Sequence, residues 1–155
     1  MKPLQLLLFV TLPLCFLDQL TKWATLQFIP LHQEIPVIPG LFNLVHVINT
    51  GSAFGMMKGW FSFHVAFGAV MAVVMFVLLF RAGSDRLTRW ASALILAGIF
   101  GNITDRVRFG HVIDFLDFYL GEQHWPAFNI ADSAIVIAVG LFLWSSFTSE
   151  QKSKG

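Results

Sequence analysis

Apolar residues are gathered into four long blocks along the chain, separated by polar segments. The blocks predict helices at about residues 4–29, 60–80, 87–104 and 131–149. A helix needs about 20 mainly apolar residues to cross a bilayer, and the second block reaches that length without Asp, Glu, Lys or Arg, whereas the others reach it only with their polar ends. The pattern therefore predicts four membrane-spanning helices in a single integral membrane domain over residues 1–155. For the third block alone, a buried or re-entrant helix is the alternative.

The first block starts with a basic residue and an apolar stretch, as a cleaved export signal does. It has no small-x-small cleavage motif, and its apolar character resumes after Lys22, so we expect it to remain as a helix. In "LPLC" a bulky Leu14 precedes Cys15, where a lipoprotein attachment motif has a small residue. Cys15 is therefore expected to be a small apolar packing residue.

The two segments that join the first span to the second and the third span to the fourth predict different structures. "IPLHQEIPVIPG" contains three Pro and a Gly, which break helices. "LFNLVHVIN" alternates in part and predicts a strand, and so a small sheet with an apolar face on the membrane surface. "VIDFLDFYL" predicts a short interfacial helix, with Asp114 and Asp117 on the same face. The fold class expected is an all-α membrane protein with four transmembrane helices, a small extracytoplasmic β-sheet and this short helix.

Composition supports a membrane protein. The chain is 56% hydrophobic and 12% charged, with a mean hydropathy of +0.71, and a soluble domain carries about twice that charged fraction. A single Cys excludes an internal disulfide, and a net charge of +1 gives no indication of nucleic-acid binding.

Lysine and arginine predict the orientation of the chain. With four spans, the side that carries both termini holds six of them and the other side holds four. Because cytoplasmic loops carry the excess of Lys and Arg, we expect both termini in the cytoplasm. The six are Lys2, Arg81, Arg86, Arg89, Lys152 and Lys154, and the four are Lys22, Lys58, Arg106 and Arg108.

Acidic residues are distributed far less evenly. Only Asp85 and Glu150 lie on the cytoplasmic side. The others lie at or beyond the outer ends of the helices: Asp18, Glu34, Asp105, Asp114, Asp117, Glu122 and Asp132. Acids do not orient a membrane protein, so we expect this asymmetry to mark the chemistry, near the outer face.

Polar residues inside or beside apolar blocks are candidates for function. Asp18 and Lys22 are four residues apart and share a helix face. They form either a self-neutralising pair with Lys22 extended towards the interface or a pair that fixes a site. Asn102 and Arg106 have the same spacing. Arg106 is suited to bind either a lipid phosphate or a carboxylate.

Asp114 and Asp132 each follow an apolar stretch, and Asn129 precedes Asp132 by one helical turn. Two carboxylates at one membrane depth suggest aspartic protease chemistry, because a close pair holds a single proton. The ionised acid then activates a water, and the protonated acid donates to the scissile carbonyl. Spacing alone does not select the pair among the four outer aspartates other than Asp18.

Three other functions are compatible with parts of the sequence. A metal site would use His46, His111, Asp114 and His124, but no HExxH motif is present. A serine protease would need G-x-S-x-G, whereas Ser52 directly follows Gly51. A small non-enzymatic transporter or assembly factor with buried ion pairs fits Asp18, Lys22 and Arg106 but leaves the outer acids unexplained.

Five motifs, in order, make the chain resemble the lipoprotein signal peptidases, or signal peptidase II. They are "DQLTK", "NTGSAFG", "GNITDR", "HVIDFLDFY" and "WPAFNIADS", and they cover the chain from Asp18 to Ser133. The resemblance implies a catalytic pair at Asp114 and Asp132. The supporting and substrate-binding residues that it implies are Asp18, Lys22, Asn49, Gly51, Asn102, Arg106 and Asn129. "GIFGNITDR" departs slightly, with Phe100 and Thr104 where small or aliphatic residues are expected.

The family also implies the setting of the reaction. Its members are aspartic proteases of the bacterial inner membrane that remove the signal peptide of a diacylglyceryl-modified prolipoprotein just before the lipidated Cys. The expected partners are therefore lipidated prolipoproteins and membrane lipid. We expect no cofactor, no metal and no nucleic acid, and a monomeric enzyme. An apolar outer sheet fits such a substrate, since it can flank lipid chains.

Overall fold

A computed structural model of the chain describes residues 1–51, 61–81, 83 and 85–153, with side chains described up to residue 146. The first helix, α1, runs over Pro3–Phe28. Its turns at Leu7–Thr11 are π-helical, and Pro13 comes two residues after Thr11. Because proline lacks a backbone N–H and its ring needs space in the preceding turn, a local widening of the helix is an expected response.

Three further helices follow: α2 at Phe61–Phe80, α3 at Arg86–Phe109 and α4 at Ile130–Ser153. They cover the predicted spans to within a few residues at each end, and Trp60 lies outside the described residues. Helices α1 and α2 are long and apolar enough to cross a membrane, and α4 contains a shorter apolar helical stretch at Ile130–Ser146. The number of spans stays a prediction.

Helix α3 lies at the centre and contacts the other three helices. Small residues, among them Ala93, Ala97 and Gly101, are buried along it. Every fourth residue of one face of α1 donates a hydrogen bond to an α3 carbonyl. Thr11, Cys15 and Gln19 donate to Ala93, Ala97 and Gly101, at 2.9, 3.4 and 3.1 Å. Small residues allow this close approach of the two backbones. The thiol of Cys15 thus also donates a hydrogen bond, which the sequence expectation of apolar packing did not include.

A four-stranded antiparallel sheet with the order β1-β2-β3-β4 joins the helices. Its strands are β1 at Glu34–Ile38, β2 at Phe42–Asn49, β3 at Val112–Leu120 and β4 at Gln123–His124. The predicted strand is confirmed as β2. Strand β1 was not predicted, because Pro36 interrupts the sequence pattern of a strand. Proline is tolerated in β1 since β1 lies at the edge of the sheet.

The predicted interfacial helix over "VIDFLDFYL" is wrong, because these residues form β3. Five of its nine residues are β-branched or aromatic, types that favour strands, and it is hydrogen-bonded to β2 on one side and to β4 on the other. This corrects the geometry of the two aspartates. On a strand, residues three apart point to opposite faces, so Asp114 and Asp117 do not share a face as they would on a helix.

Candidate active site

Asp132 lies in the first turn of α4, where it forms a reciprocal cap with Asn129. The Asn129 side-chain oxygen accepts from the Asp132 N–H at 2.9 Å, and the Asp132 carboxylate accepts from the Asn129 N–H at 3.3 Å. Asp18, from α1, accepts from the N–H of Ala131 at 2.9 Å. Two carboxylates therefore satisfy the free N–H groups at this helix start, and the helix dipole favours their negative charge.

Asp114 projects from β3 into the same region and is only 2% exposed. Its two oxygens accept hydrogen bonds from the side-chain amides of Asn129 at 2.7 Å and Asn49 at 2.9 Å. Asn129 thus contacts both carboxylates, Asp132 through its backbone and Asp114 through its side chain. The first turn of α4 and the start of β3 bring the two predicted catalytic acids together.

The environment of Asp114 disfavours its ionised form. Burial raises the pKa of Asp114 to about 7, and the negative charge of Asp132 acts in the same direction. Hydrogen bonds from Asn49 and Asn129 stabilise the carboxylate and lower this pKa, but by less. Near neutral pH the Asp114 carboxyl is therefore able to hold a proton beside a second carboxylate, which general acid catalysis requires.

Lys22 is at the centre of a buried charge cluster behind the two acids. Its ammonium forms ion pairs with Asp18 at 2.9 Å and Asp105 at 2.8 Å, and donates to the side-chain oxygen of Asn102 at 3.1 Å. Asn102 in turn donates to Asp132 at 2.7 Å. Lys22 is 2% exposed, so it does not extend to the interface, and its role in fixing the site stays a prediction.

Asn102 is held in one orientation by its neighbours. Its oxygen accepts from both Lys22 and Asn129, while its nitrogen donates to Asp132. Since the oxygen faces two donors and the nitrogen faces a carboxylate, a flipped amide would lose all three bonds. The charge cluster is thereby connected to the acid at the start of α4.

Arg106 and Gly51 form the outer side of the site. Arg106 donates to the carbonyls of Gly51 at 3.1 Å and Asn102 at 3.4 Å, and the Gly51 N–H donates to the side-chain oxygen of Asn49 at 3.0 Å. Within the described part of the chain Arg106 has no carboxylate within ion-pair distance. Its contacts hold the end of β2 against α3.

Two residues of this network were not among the predicted site residues. Asp105 is fully buried; besides its pair with Lys22, it accepts from the N–H of Ile113 at 3.2 Å and so holds the start of β3. Gln19 donates to both Asp105 and Asp18. Asp105 lies within "GNITDR", three residues after Asn102, and that motif was the available signal. Gln19 carries no charge, and its only signal was its place within "DQLTK", next to Asp18.

The alternative chemistries find little support in the geometry. Among the described residues, no group of three His, Cys, Asp or Glu side chains is placed to hold a metal ion. Ser52, the serine-protease candidate, lies outside the described residues. A cavity of about 260 Å³, lined in part by His32, Glu34, Asp117 and His124, contains neither carboxylate of the Asp114–Asp132 pair.

Comparison with known protein families gives an independent result. The family model described as signal peptidase (SPase) II matches residues 10–148. A lipoprotein signal peptidase of Syntrophus aciditrophicus (strain SB) is 44% identical over 160 residues, covering 99% of this chain and 98% of that protein. That of Desulforapulum autotrophicum is 46% identical over 134 residues, covering 83% of each.

Solved structures show the same fold. A bacterial membrane enzyme determined by the in meso method at 2.3 Å resolution superposes with a TM-score of 0.88 at 26% identity, covering 94% of this chain and 89% of that one. A second, at 1.9 Å resolution, gives a TM-score of 0.80 at 28% identity, covering 89% and 90%.

Proposed function

Because the chain belongs to the signal peptidase II family, whose members remove signal peptides from prolipoproteins, we propose that it does so as an aspartic endopeptidase. Asp114 and Asp132 form the catalytic pair. The observation that carries this proposal is the placement of both carboxylates on Asn129, one through the backbone and one through the side chain. The non-enzymatic transporter or assembly factor is not favoured by the family relationship.

In the proposed reaction the pair holds one proton, on Asp114. Asp132, which accepts hydrogen bonds from Asn102 and Asn129, takes a proton from a water as that water attacks the scissile carbonyl. Asp114 donates its proton to the carbonyl oxygen. Collapse of the tetrahedral intermediate then breaks the C–N bond. Asp132 gives its proton to the leaving nitrogen, and Asp114 takes a proton from a hydroxyl of the intermediate, which restores the starting pair. No metal and no covalent intermediate are required.

Substitution of the acids tests this proposal. Asp114→Asn and Asp132→Asn should each abolish cleavage of a lipidated prolipoprotein in detergent, while thermal unfolding stays cooperative. Asp117→Asn is the matched control on the same strand, and it should retain most activity, because Asp117 contacts His124 and Asn43 on the other sheet face. Near-normal turnover by either variant of the pair would show that the catalytic residues lie elsewhere.

We propose four spans, with both termini in the cytoplasm and the site near the outer face of a bacterial inner membrane. Helix α3 has 24 residues and is therefore about 36 Å long, enough to cross a bilayer. Its sequence is less apolar than that of α1 or α2, because it carries Arg86, Arg89 and the polar residues of its last turns. Those at the outer end, among them Asn102 and Asp105, are buried against the other elements and not against lipid.

We further propose that the enzyme selects the diacylglyceryl-modified precursor. Acyl chains gain little by leaving one apolar environment for another, so the glyceryl and ester groups are the better source of selectivity. Asn49 donates one hydrogen bond within the site and Arg106 donates two. Both side chains carry further N–H groups, which are our candidate donors to the ester oxygens. Initial rates on lipidated and unmodified precursor, at equal concentration in one detergent, test this selectivity. The lipidated precursor should be cleaved faster, and equal rates would mean that only the peptide is recognised.

A further inference from the structure

The outer sheet has two chemically different faces. Alternate residues of a strand point to the same face, so Asp114, Leu116 and Phe118 share one face of β3. Asp117 and Tyr119 share the other. On the polar face Asp117 is hydrogen-bonded to Asn43 and His124, and Tyr119 stacks on His124 at 4.9 Å. Where β2 pairs with β3, the polar residues of the first face are Asp114 and Asn49, and its other residues are apolar.

Five side chains form a continuous apolar row on the Asp114 face. In the β2–β3 register Leu44 is opposite Leu116 and Phe42 is opposite Phe118, while Phe128 is bridged to Leu116. The rings of Phe42 and Phe118 are 4.8 Å apart, and those of Phe118 and Phe128 are 5.9 Å apart. Phe118 is nonetheless 42% exposed, so the middle of this row is open to a ligand.

The apolar row runs from Asp114 along β3 towards the turn at Gly121. Strand β3 begins close to the end of α3, where the Ile113 N–H is held by Asp105, and turns back at Gly121. Phe118 is four residues beyond Asp114, a Cα separation of about 13 Å at 3.3 Å per residue. An extended peptide covers the same distance with about four residues.

Two parts of the substrate are apolar enough to bind the row, and their surroundings before binding distinguish them. Acyl chains already lie in the bilayer, so binding to the row would bring them little gain in free energy. The mature segment that follows the cleavage site comes from water. Apolar side chains transferred from water gain about 25 cal/mol per Å² buried, so the mature segment is the favoured occupant.

We propose that the apolar row of Leu44, Leu116, Phe42, Phe118 and Phe128 binds an apolar side chain from about the third to fifth residue of the mature lipoprotein, counting the lipidated Cys as the first. This inference rests on the proposed function. It makes Phe118 a specificity-determining residue on the mature side of the scissile bond. The enzyme then recognises a short stretch of the mature chain in addition to the signal peptide and the lipid.

A competition experiment tests the inference. Two precursors with the same signal peptide and lipid, one with Leu and one with Ser at mature positions 3 to 5, are mixed in one detergent and cleaved together. Wild type should prefer the Leu precursor about tenfold, which corresponds to about 1.4 kcal/mol and is within the range for burying one Leu side chain. Phe118→Ala should reduce that preference to about twofold or less. The ratio of products does not depend on how much of a variant is folded.

Phe28→Ala is the control variant, because Phe28 is also an exposed phenylalanine, at the end of α1, and its ring contacts Trp23. It should keep the wild-type preference. A wild type that cleaves both precursors equally, or a Phe118→Ala variant that keeps the tenfold preference, would overturn the inference. So would a Phe118→Ala variant whose only change is in the ratio for substrates of different acyl length. Absence of any cleavage by wild type would instead refute the proposed function.

Discussion

Asn129 is the residue on which the geometry of the site converges. It begins α4, accepts the Asp132 N–H, and donates to Asp114 and to Asn102. A helix cap normally stabilises one helix end by about 1 kcal/mol. Here the cap also contacts two carboxylates, so the local structure of α4 and the geometry of the proposed catalytic pair depend on the same side chain.

The pKa of Asp114 predicts the pH dependence of cleavage. Its carboxyl must be protonated to act as the acid, and burial beside Asp132 raises its pKa to about 7, so kcat/KM should fall as pH rises through about 7. Asn49→Ala removes a donor that favours the ionised form, so the pKa should rise further and the basic limb should move to higher pH. A pH–rate profile of each variant measures this. Asn43→Ala, which loses a bond to Asp117, is the control and should leave the limb in place.

The same pKa links pH to folding. An unfolded Asp has a pKa of about 3.9, and the folded-state value of Asp114 is above it. The folded chain therefore binds this proton more tightly, so the contribution of Asp114 to stability is complete below about pH 3.9 and is lost as pH rises through about 7.

In the pH–rate experiment, a basic limb that does not move in Asn49→Ala would mean that a group other than Asp114 sets the limb.

Removal of the Lys22 ammonium should destabilise the folded chain, because it leaves Asp18 and Asp105 buried without a cation. Lys22→Met is expected to lower the free energy of unfolding by about 3–5 kcal/mol. Lys22→Met combined with Asp105→Asn restores the net charge of the cluster from −2 to −1, so the double variant should be more stable than the single one. Denaturation in one detergent compares the two, and a double variant less stable than Lys22→Met would contradict the electrostatic explanation.

At the level of the elements, the close contacts of α3 depend on glycine. A Cβ on Gly101 would lie 2.6 Å from an Asp18 carboxylate oxygen and 2.9 Å from the Ala131 Cβ. Gly101→Ala must therefore displace the carboxylate that caps α4, and it should lower the free energy of unfolding by about 1–3 kcal/mol and reduce activity. Gly140→Ala, on α4, meets nothing within 4 Å and should be neutral or slightly stabilising. Thermal unfolding of the two variants, together with cleavage rates, tests the difference; equal stability would show that α1 and α4 adjust freely.

How far the elements were predictable depended on the kind of pattern. Long apolar blocks predicted the helices, because a helix that crosses a bilayer needs about 20 mainly apolar residues. "VIDFLDFYL" was predicted as a helix because its apolar residues fit both the helical period of about 3.6 residues and the strand period of about 2. Nine residues are too few to distinguish the two periods. Its partner β2 is more than sixty residues earlier in the chain, and pairing over that distance leaves no local signal.

The residues of the site were predictable to the extent that charge marked them. Asp114, Asp132, Asp18 and Lys22 stand out against apolar surroundings, and the structure brings them together with Asn49, Asn102 and Asn129. The spacing of the acids did not select the pair, and the resemblance to a family did. The bonds of Gln19 were beyond prediction, because they depend on which face of α1 meets α3.

For the whole molecule, the distribution of polar groups implies an orientation in the membrane. The buried acids and amides lie at one end of the helices, and Asp85 caps α3 at the other end through Thr88. Exported precursors present the cleavage site at the outer leaflet, so we expect the end that carries Asp114 and Asp132 to lie outside the cytoplasm. The Lys and Arg excess of six against four favours the same orientation.

Reporter fusions test this orientation directly. A reporter that is active only outside the cytoplasm should be active when fused after Gly121, in the turn between β3 and β4. It should be silent after Gly83, between α2 and α3, and after Gly155. A reporter active only in the cytoplasm should give the reverse pattern at the same three positions, which controls for expression. Activity of the first reporter after Gly83 and silence after Gly121 would place the acids on the cytoplasmic side, where an exported prolipoprotein does not present its lipidated Cys.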